Sequence, residues 1–279
     1  MQLLIDADIL LYKAGFAAQK TLRHVFEGEE GSPDAFYMGT YDNAADAKAF
    51  MEQYDDVFVE TEVEAEPVGH AIHNLKTILE RTCEENECSN YTLVLSGDCN
   101  FRDAVAFTRP YKGNRDKLHK PVHYAALKEY IIAKHPHIVA TDCMEGDDVL
   151  GIMQQGLDTT ICSIDKDLLM IEGLHYNLDS GKTTYQEGID SWRAFVGQLI
   201  TGDTVDNVPG LPGMGKKKAS KLLLETPREE LWDVLSAMYM DAYGDSNVIH
   251  EQARLLWILR SPDQLHAPPD FQKIVTEWR

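Results

Sequence analysis

Residues 3–18 read LLIDADILLYKAGFAA. The apolar run Leu3 to Ile5 ends in carboxylates at Asp6 and Asp8, and the ILLYKAGFAA behind it has the spacing and helix formers of a crossover helix. Strand is followed by helix. The alternation recurs: AIHNLKTILERT (71–82) reads as helix before the strand YTLVLSGD (91–98), and LKEYIIAKH (127–135) as helix before HIVATD (137–142). VLGIMQQGL (149–157) then reads as helix before TTICSID (159–165). The pattern predicts an α/β fold, a parallel sheet with helices on both faces. After about Gln186 the strand signal stops, and DSWRAFVGQLI, KKKASKLLLET, LWDVLSAMYMDAY and NVIHEQARLLWIL read as helices. The expected organisation is an α/β core over residues 1–186 and a helical subdomain over 187–279. Parallel sheets bind ligands at the carboxyl ends of their strands. Asp6, Asp98 and Asp165 each fall at the end of a predicted strand or just beyond it.

At 44% hydrophobic and 26% charged, the 279 residues have the composition of a globular protein rather than a disordered or low-complexity one. There is no run of 18 apolar residues, and the N-terminus lacks a basic region and places two aspartates in its apolar stretch, which argues against export or a membrane span. Five cysteines without CxxC spacing argue against a disulfide framework or a zinc site and favour a reducing cytoplasm.

The net charge of −20 speaks against a nucleic-acid partner until its distribution is considered. Residues 26–66 hold thirteen acids and one base, Lys48, within a hairpin-containing insertion that reads as a solvated acidic lobe with a short helix near AADAKAFMEQ (44–53). Residues 102–134 hold eight bases and three acids, enough for a phosphate-facing surface.

Beyond Asp6 and Asp98, acids cluster at Glu145, Asp147 and Asp148 (MEGDDVLG), at Asp165 and Asp167 (SIDKDLL), and at Asp203 and Asp206 (TGDTVDN). Each cluster has a plain structural reading: acids at a helix start, an N-cap at Asp165, a turn at Asp203. Together at one sheet edge they would repel one another and raise their pKa values unless cations compensate. All-oxygen ligands select Mg²⁺, with Mn²⁺ as its substitute, and two such ions suit phosphodiester hydrolysis.

The basic loop 102–123 contains TRPYKGNRDKLHKPVHY (108–124), in which Lys112 and Arg115 offer charge to a phosphoryl group, Lys117 and Lys120 add to it, and Tyr111 offers a face for base stacking. In VPGLPGMGKKKASKLL (208–223), Gly210, Gly213 and Gly215 have the GxxGxG pattern of a helix-hairpin-helix turn whose N–H groups reach a phosphate, followed by Lys216, Lys217 and Lys218.

LLIDAD, VLSGD, PYKGNRD, MEGDDV, SIDKD and GDTVDNVPGLPGMGKKKA, in this order, resemble the flap endonuclease and 5′–3′ exonuclease family, most closely the compact exonuclease of short-tailed bacteriophages. The match runs over about residues 3–224, apart from the acidic insertion. The resemblance implies a PIN-like core with a helix-three-turn-helix, and Mg²⁺-dependent 5′–3′ hydrolysis of duplex DNA at 5′ ends, nicks or flaps in phage replication and recombination. RNA–DNA hybrids are a further candidate substrate, and the site of action would be the host cytoplasm. It also implies metal positions at Asp6, Asp98, Glu145, Asp147, Asp148, Asp165, Asp167 and Asp203, with Asp206 near them, a catalytic pair at Lys112 and Arg115, and a K⁺ ion at the glycine turn. Asp8 has no firm counterpart in the family.

Two other readings compete. A haloacid-dehalogenase-like phosphatase would use the DxD of Asp6 and Asp8, but Leu10 stands where that pattern wants Thr or Ser. A DNA-binding module without catalysis would keep the lysines and the glycine turn and have no need of the acids.

Overall fold

The computed structural model describes residues 1–114, 119–155 and 158–277. Its strands are β1 (Gln2–Asp6), β2 (Gln19–Glu27), β3 (Phe36–Tyr41), β4 (Val57–Ala65), β5 (Tyr91–Leu95), β6 (His137–Val139), β7 (Thr159–Ser163), β8 (Gly173–Asn177) and β9 (Lys182–Gln186). The helices are α1 (Ala7–Phe16), α2 (Ala44–Met51), α3 (Val68–Glu85), α4 (Arg102–Val105), α5 (Tyr124–Lys134), α6 (Gly146–Gln154), α7 (Gly188–Thr201), α8 (Lys216–Glu225), α9 (Arg228–Tyr243), α10 (Val248–Leu256) and α11 (Phe271–Glu277). No described helix is long and apolar enough to cross a membrane.

The chain divides into two compact units, one of Met1–Ile9, Glu80–His119 and Lys134–Arg279, the other of Leu10–Leu79 and Lys120–Ala133. The division follows contacts between segments rather than the expected border at 186/187.

In the larger unit six strands form a sheet in the order β6-β5-β1-β7-β8-β9. β1 runs parallel to both neighbours, with Asp6 beside Val94 of β5 and Ile5 beside Cys162 of β7. The expected parallel arrangement therefore holds for five strands, while β9 returns antiparallel on β8. The central strands are apolar because α6 covers them: Leu4, Val94, Leu150 and Ile161 lie in one buried cluster, and each fully buried aliphatic side chain contributes about 1.5–3 kcal/mol. The helices after β9 build a second core around Trp192, Phe195, Leu199, Trp232, Leu235 and Trp257.

In the smaller unit the acidic insertion forms a three-stranded antiparallel sheet, β3-β2-β4, with α2 packed on it through Ala47. Its register pairs Val25 with Val59.

One expectation is overturned. Cys99 and Cys143 form a disulfide with a Cα–Cα distance of 4.6 Å, while Cys83, Cys88 and Cys162 are free. The two cysteines are 44 residues apart but follow β5 and β6, neighbouring parallel strands, so their loops leave the sheet side by side. At Gly97 a Cβ would stand 2.5 Å from the Ala140 carbonyl oxygen, which shows how closely the loops approach.

Candidate functional site

The carboxyl ends of β5, β1 and β7 are adjacent, and the chain places polar residues at each. Asp6 ends β1 and is 6% exposed. Its Oδ1 accepts from the Ile9 amide at 3.2 Å, capping the start of α1, and its Oδ2 accepts from Ser163 Oγ of β7 at 2.7 Å. Asp8 accepts at Oδ2 from the Ser96 amide at 2.9 Å. Ser163 Oγ also receives the Asp165 amide at 3.0 Å, and Asp165 Oδ1 receives the Asp167 amide at 2.9 Å. Asp165 thus takes the first amide of the 3-10 turn Asp167–Met170, but the N-cap position expected for it belongs to Lys166. Asp203 likewise closes its own turn, accepting from Val205 at 2.7 Å and Asp206 at 3.3 Å.

These local roles leave the charges uncompensated. Burial, then Asp8 and Asp165, push the Asp6 carboxyl up to about 7. Burial, then Asp165 and Asp203, push Asp167 up to about 7. Asp147, in the first turn of α6, is raised well above the ordinary range by burial, then by Asp6, Asp165 and Glu145. Asp6, Asp147, Asp165, Asp167 and Asp203 therefore form one electrostatic group, in which Asp165 links Asp6, Asp147 and Asp167, and Asp167 brings in Asp203. Among the described residues no three His, Cys, Asp or Glu side chains stand as a ready-made metal cage. The donor set itself, all oxygen and short of cations, fits a hard divalent ion.

Two expected ligands take other places. Asp148 is fully buried, and its oxygens accept from Arg102 Nη1 at 2.8 Å, Arg102 Nη2 at 2.9 Å, the Glu145 amide at 3.0 Å and the Leu259 amide at 3.1 Å. With its lone pairs used inside the fold, Asp148 is a fastener, which corrects its expected role as a metal ligand. Asp98 is exposed in the loop three residues beyond β5.

Arg102, counted above among the bases of a phosphate-facing surface, is instead 2% exposed and spends all its donors inside the fold: besides Asp148 it bonds Glu145 Oε2 at 3.1 Å, the Leu255 carbonyl at 2.8 Å and the Trp257 carbonyl at 2.7 Å. Burial would lower its pKa, but Asp148 more than offsets that and fixes the charge. The Glu145 carboxyl, which burial would raise, is held below the ordinary range by Arg102 and then Lys112.

Lys112 Nζ bonds Glu145 Oε1 and lies 3.9 Å from Asp206 Oδ2, while its amide donates to the Asp206 carbonyl at 2.9 Å. Its φ of 53° is a left-handed conformation that a side chain adopts at a cost, sustained here by those bonds. Tyr111 is 8% exposed within the helical core, and its hydroxyl donates to Asp206 Oδ2 at 2.6 Å and lies 3.1 Å from Glu145 Oε2. The expected stacking face is thus covered, and Tyr111 positions two acids instead. Arg115 and Lys117 lie outside the described residues. Lys120 belongs to the smaller unit, its ammonium 4.4 Å from the centre of the Tyr124 ring.

The glycine turn is built as a crossing. Gly202 and Gly210 have φ of 72° and 62°, and a Cβ on Gly210 would stand 2.1 Å from the Gly202 nitrogen. The Gly210 amide donates to Gln252 Oε1 at 2.9 Å, and its carbonyl accepts from the Tyr243 hydroxyl. Gly215 caps α8, whose first residues Lys216, Lys217 and Lys218 are exposed, with Lys218 Nζ donating to the Gly213 carbonyl at 2.8 Å. Three lysines at the positive end of a helix dipole concentrate charge that favours an anion.

A solved structure of the bacteriophage T5 flap endonuclease, in complex with DNA and metal ions, superposes with a TM-score of 0.58 at 12% identity, covering 99% of this chain and 96% of that one. The chain has the flap endonuclease fold. This bears out the resemblance read from the sequence, including the PIN-like α/β core. No family model matches. Among curated proteins, the chain is 31% identical over 180 residues to DNA polymerase I of Rhizobium leguminosarum, covering 59% of this chain and 16% of that protein. It is 29% identical over 180 residues to the 5′-3′ exonuclease of Buchnera aphidicola, covering 56% of this chain and 57% of that protein. The chain thus spans a small part of the polymerase and just over half of the exonuclease.

Proposed function

We propose that this chain is a divalent-metal-dependent 5′ nuclease that hydrolyses phosphodiester bonds near DNA 5′ ends. The observation that carries the reading is the group of mutually loaded carboxylates at the edge of a parallel sheet, Asp6 buried and the others half-buried, with Lys112 reaching Glu145 beside it. A phosphatase reading leaves the lysines and the glycine turn without a task, and a purely DNA-binding module has no use for carboxyls held at such cost.

In this reading Asp6, Asp147, Asp165, Asp167 and Asp203 hold two Mg²⁺ ions, with Glu145 and Asp206 alongside, Asp98 available from its loop, and Mn²⁺ as a substitute. The bound ions would supply an activated water and a charge opposite the leaving oxygen. Lys112 would exchange Glu145 for the scissile phosphate and stabilise its charge during transfer, and Arg115 would assist. Tyr111 keeps Glu145 and Asp206 in place while Lys112 moves. Lys216, Lys217, Lys218 and the amides of the glycine turn would grip the backbone of a duplex without reading its sequence. A K⁺ ion there would compete with the Lys218 ammonium for the Gly213 carbonyl. Duplex ends, nicks and flaps are the proposed DNA substrates, RNA–DNA hybrids a further one, and a host cell's cytoplasm during phage replication the setting.

The test is incubation with 5′-labelled blunt, recessed, nicked and flapped duplexes, with Mg²⁺ or with a chelator. Short 5′ products that disappear on chelation are expected. Absence of cleavage under every divalent metal tried would reject the assignment.

A further inference from the structure

Gln198 lies in the last turn of α7, five residues before Asp203. Its Nε2 donates to Asp167 Oδ1 at 2.6 Å and to Asp203 Oδ2 at 3.1 Å. Its Oε1 is buried and has no hydrogen-bond partner among the described residues. A buried acceptor left unmade costs free energy, and an amide side chain ordinarily uses both its ends. Gln198 gives up one end and makes two donations with the other, both to carboxylates. Among the described residues no cationic side chain pairs with Asp167 or Asp203; their remaining recorded partners are the backbone amides of Val205 and Asp206 on Asp203.

The two N–H bonds of an amide leave one nitrogen in different directions, so the pair of contacts fixes how far apart the two oxygens stand and how each carboxylate is turned. The frame around them is stiff. Asp167 opens the 3-10 turn packed against α7. Asp203 follows Gly202, where a Cβ would meet the Val208 carbonyl oxygen at 2.4 Å, and is locked to Val208 by reciprocal backbone bonds of 2.8 and 2.7 Å. A neutral donor placed there relieves repulsion between the carboxylates without supplying the positive charge that a metal ion would bring.

We infer that Gln198 is a positioning residue: by bridging Asp167 and Asp203 through one amide nitrogen, it sets their separation and orientation, and so the affinity of the divalent-cation position they share. The inference rests on the nuclease reading above. Hydrogen-bond partners that orient metal ligands typically contribute 10- to 100-fold in metal affinity.

The experiment is calorimetric titration of the full chain with Mn²⁺, without DNA, comparing the native protein with Gln198→Ala and with Gln198→Met, which keeps the length of the side chain but not the amide. Both substitutions should weaken Mn²⁺ binding by about 10- to 100-fold, with little change in the metal-free Tm. In an Asp167→Ala background the same substitutions should add almost nothing, since the position is already lost. Cleavage by Gln198→Met should require correspondingly more Mn²⁺ for half-maximal rate and approach the native rate at saturation. A drop in Tm with an unchanged isotherm would overturn the inference, as would a loss of rate that excess Mn²⁺ does not restore. If the native chain cuts DNA and both variants bind Mn²⁺ as it does, this inference alone falls. If the native chain neither binds Mn²⁺ nor cuts, the nuclease reading falls with it.

Discussion

The lobe of β2, β3 and β4 and the edge of the six-stranded sheet are both rich in carboxylates, and they hold them in opposite ways. In the lobe Glu60, Glu62 and Glu64 alternate along a strand exposed to water, where like charges are screened and cost little. At the sheet edge Asp6 is buried and Asp147 and Asp167 are half-buried beside other acids, and the protein raises their pKa values rather than separating them. Charge count alone would favour the lobe as the site. Burial reverses that ranking, because an acid is functionally poised where the fold sustains it against its own desolvation.

Substituting a lysine in each region gives the sharpest contrast. Lys112→Ala should slow cleavage by about 10²–10³-fold with little change in duplex affinity, since Glu145 keeps its bonds to Arg102 and Tyr111. Lys48→Ala in the lobe should change neither. Single-turnover rates and binding isotherms would show both, and equal loss of rate and affinity for Lys112→Ala would make it a binding residue only. Replacing Lys216, Lys217 and Lys218 together by alanine should weaken binding about tenfold or more and flatten the dependence of log affinity on log salt by up to about 3. An unchanged slope would place the duplex elsewhere.

The third contrast is in pH. Asp6 and Asp167 titrate near 7 in the folded chain, against about 4 when unfolded. Between these values the folded state holds protons that the unfolded state has released, so stability falls as pH rises through that window. The Tm of metal-free protein should drop from about pH 5 to about pH 8, and Mg²⁺ should shrink the drop because it replaces the protons. A flat profile would mean these acids are not crowded. The smallest effect is expected from Glu60→Gln, Glu62→Gln and Glu64→Gln together, which should leave both that profile and the cleavage rate within about twofold of native, as surface substitutions usually do.

The order of strands and helices was legible because periodicity is local, and the acids at strand ends were legible because β1, β5 and β7 end near them. What was not legible depends on partners distant in sequence. Nothing near Asp148 announces Arg102, 46 residues away, or Leu259, 111 residues away. Tyr111 looked like a surface aromatic because its loop is rich in Pro and Gly, but the helical core reaches it from residues past 190. β8 and β9 are short, and one of them is largely exposed, so they carried no clear alternation. The Cys99–Cys143 bond needed knowledge that β5 and β6 are neighbours. Gln198 showed no motif at all; its role emerges from which two acids it touches.

Arg102 also decides how the molecule can be cut. Two of its five donors end on the carbonyls of Leu255, in the last turn of α10, and Trp257, just past it, and Asp148 takes an amide from Leu259. A shortened version ending before residue 255 would leave two donors of the Arg102 guanidinium and one bond to the Asp148 carboxylate unmade beside Glu145. The end of α10 and the segment that follows it are therefore part of the frame of the proposed site rather than an accessory that can be exchanged, and grafting this site onto another scaffold would require carrying them along.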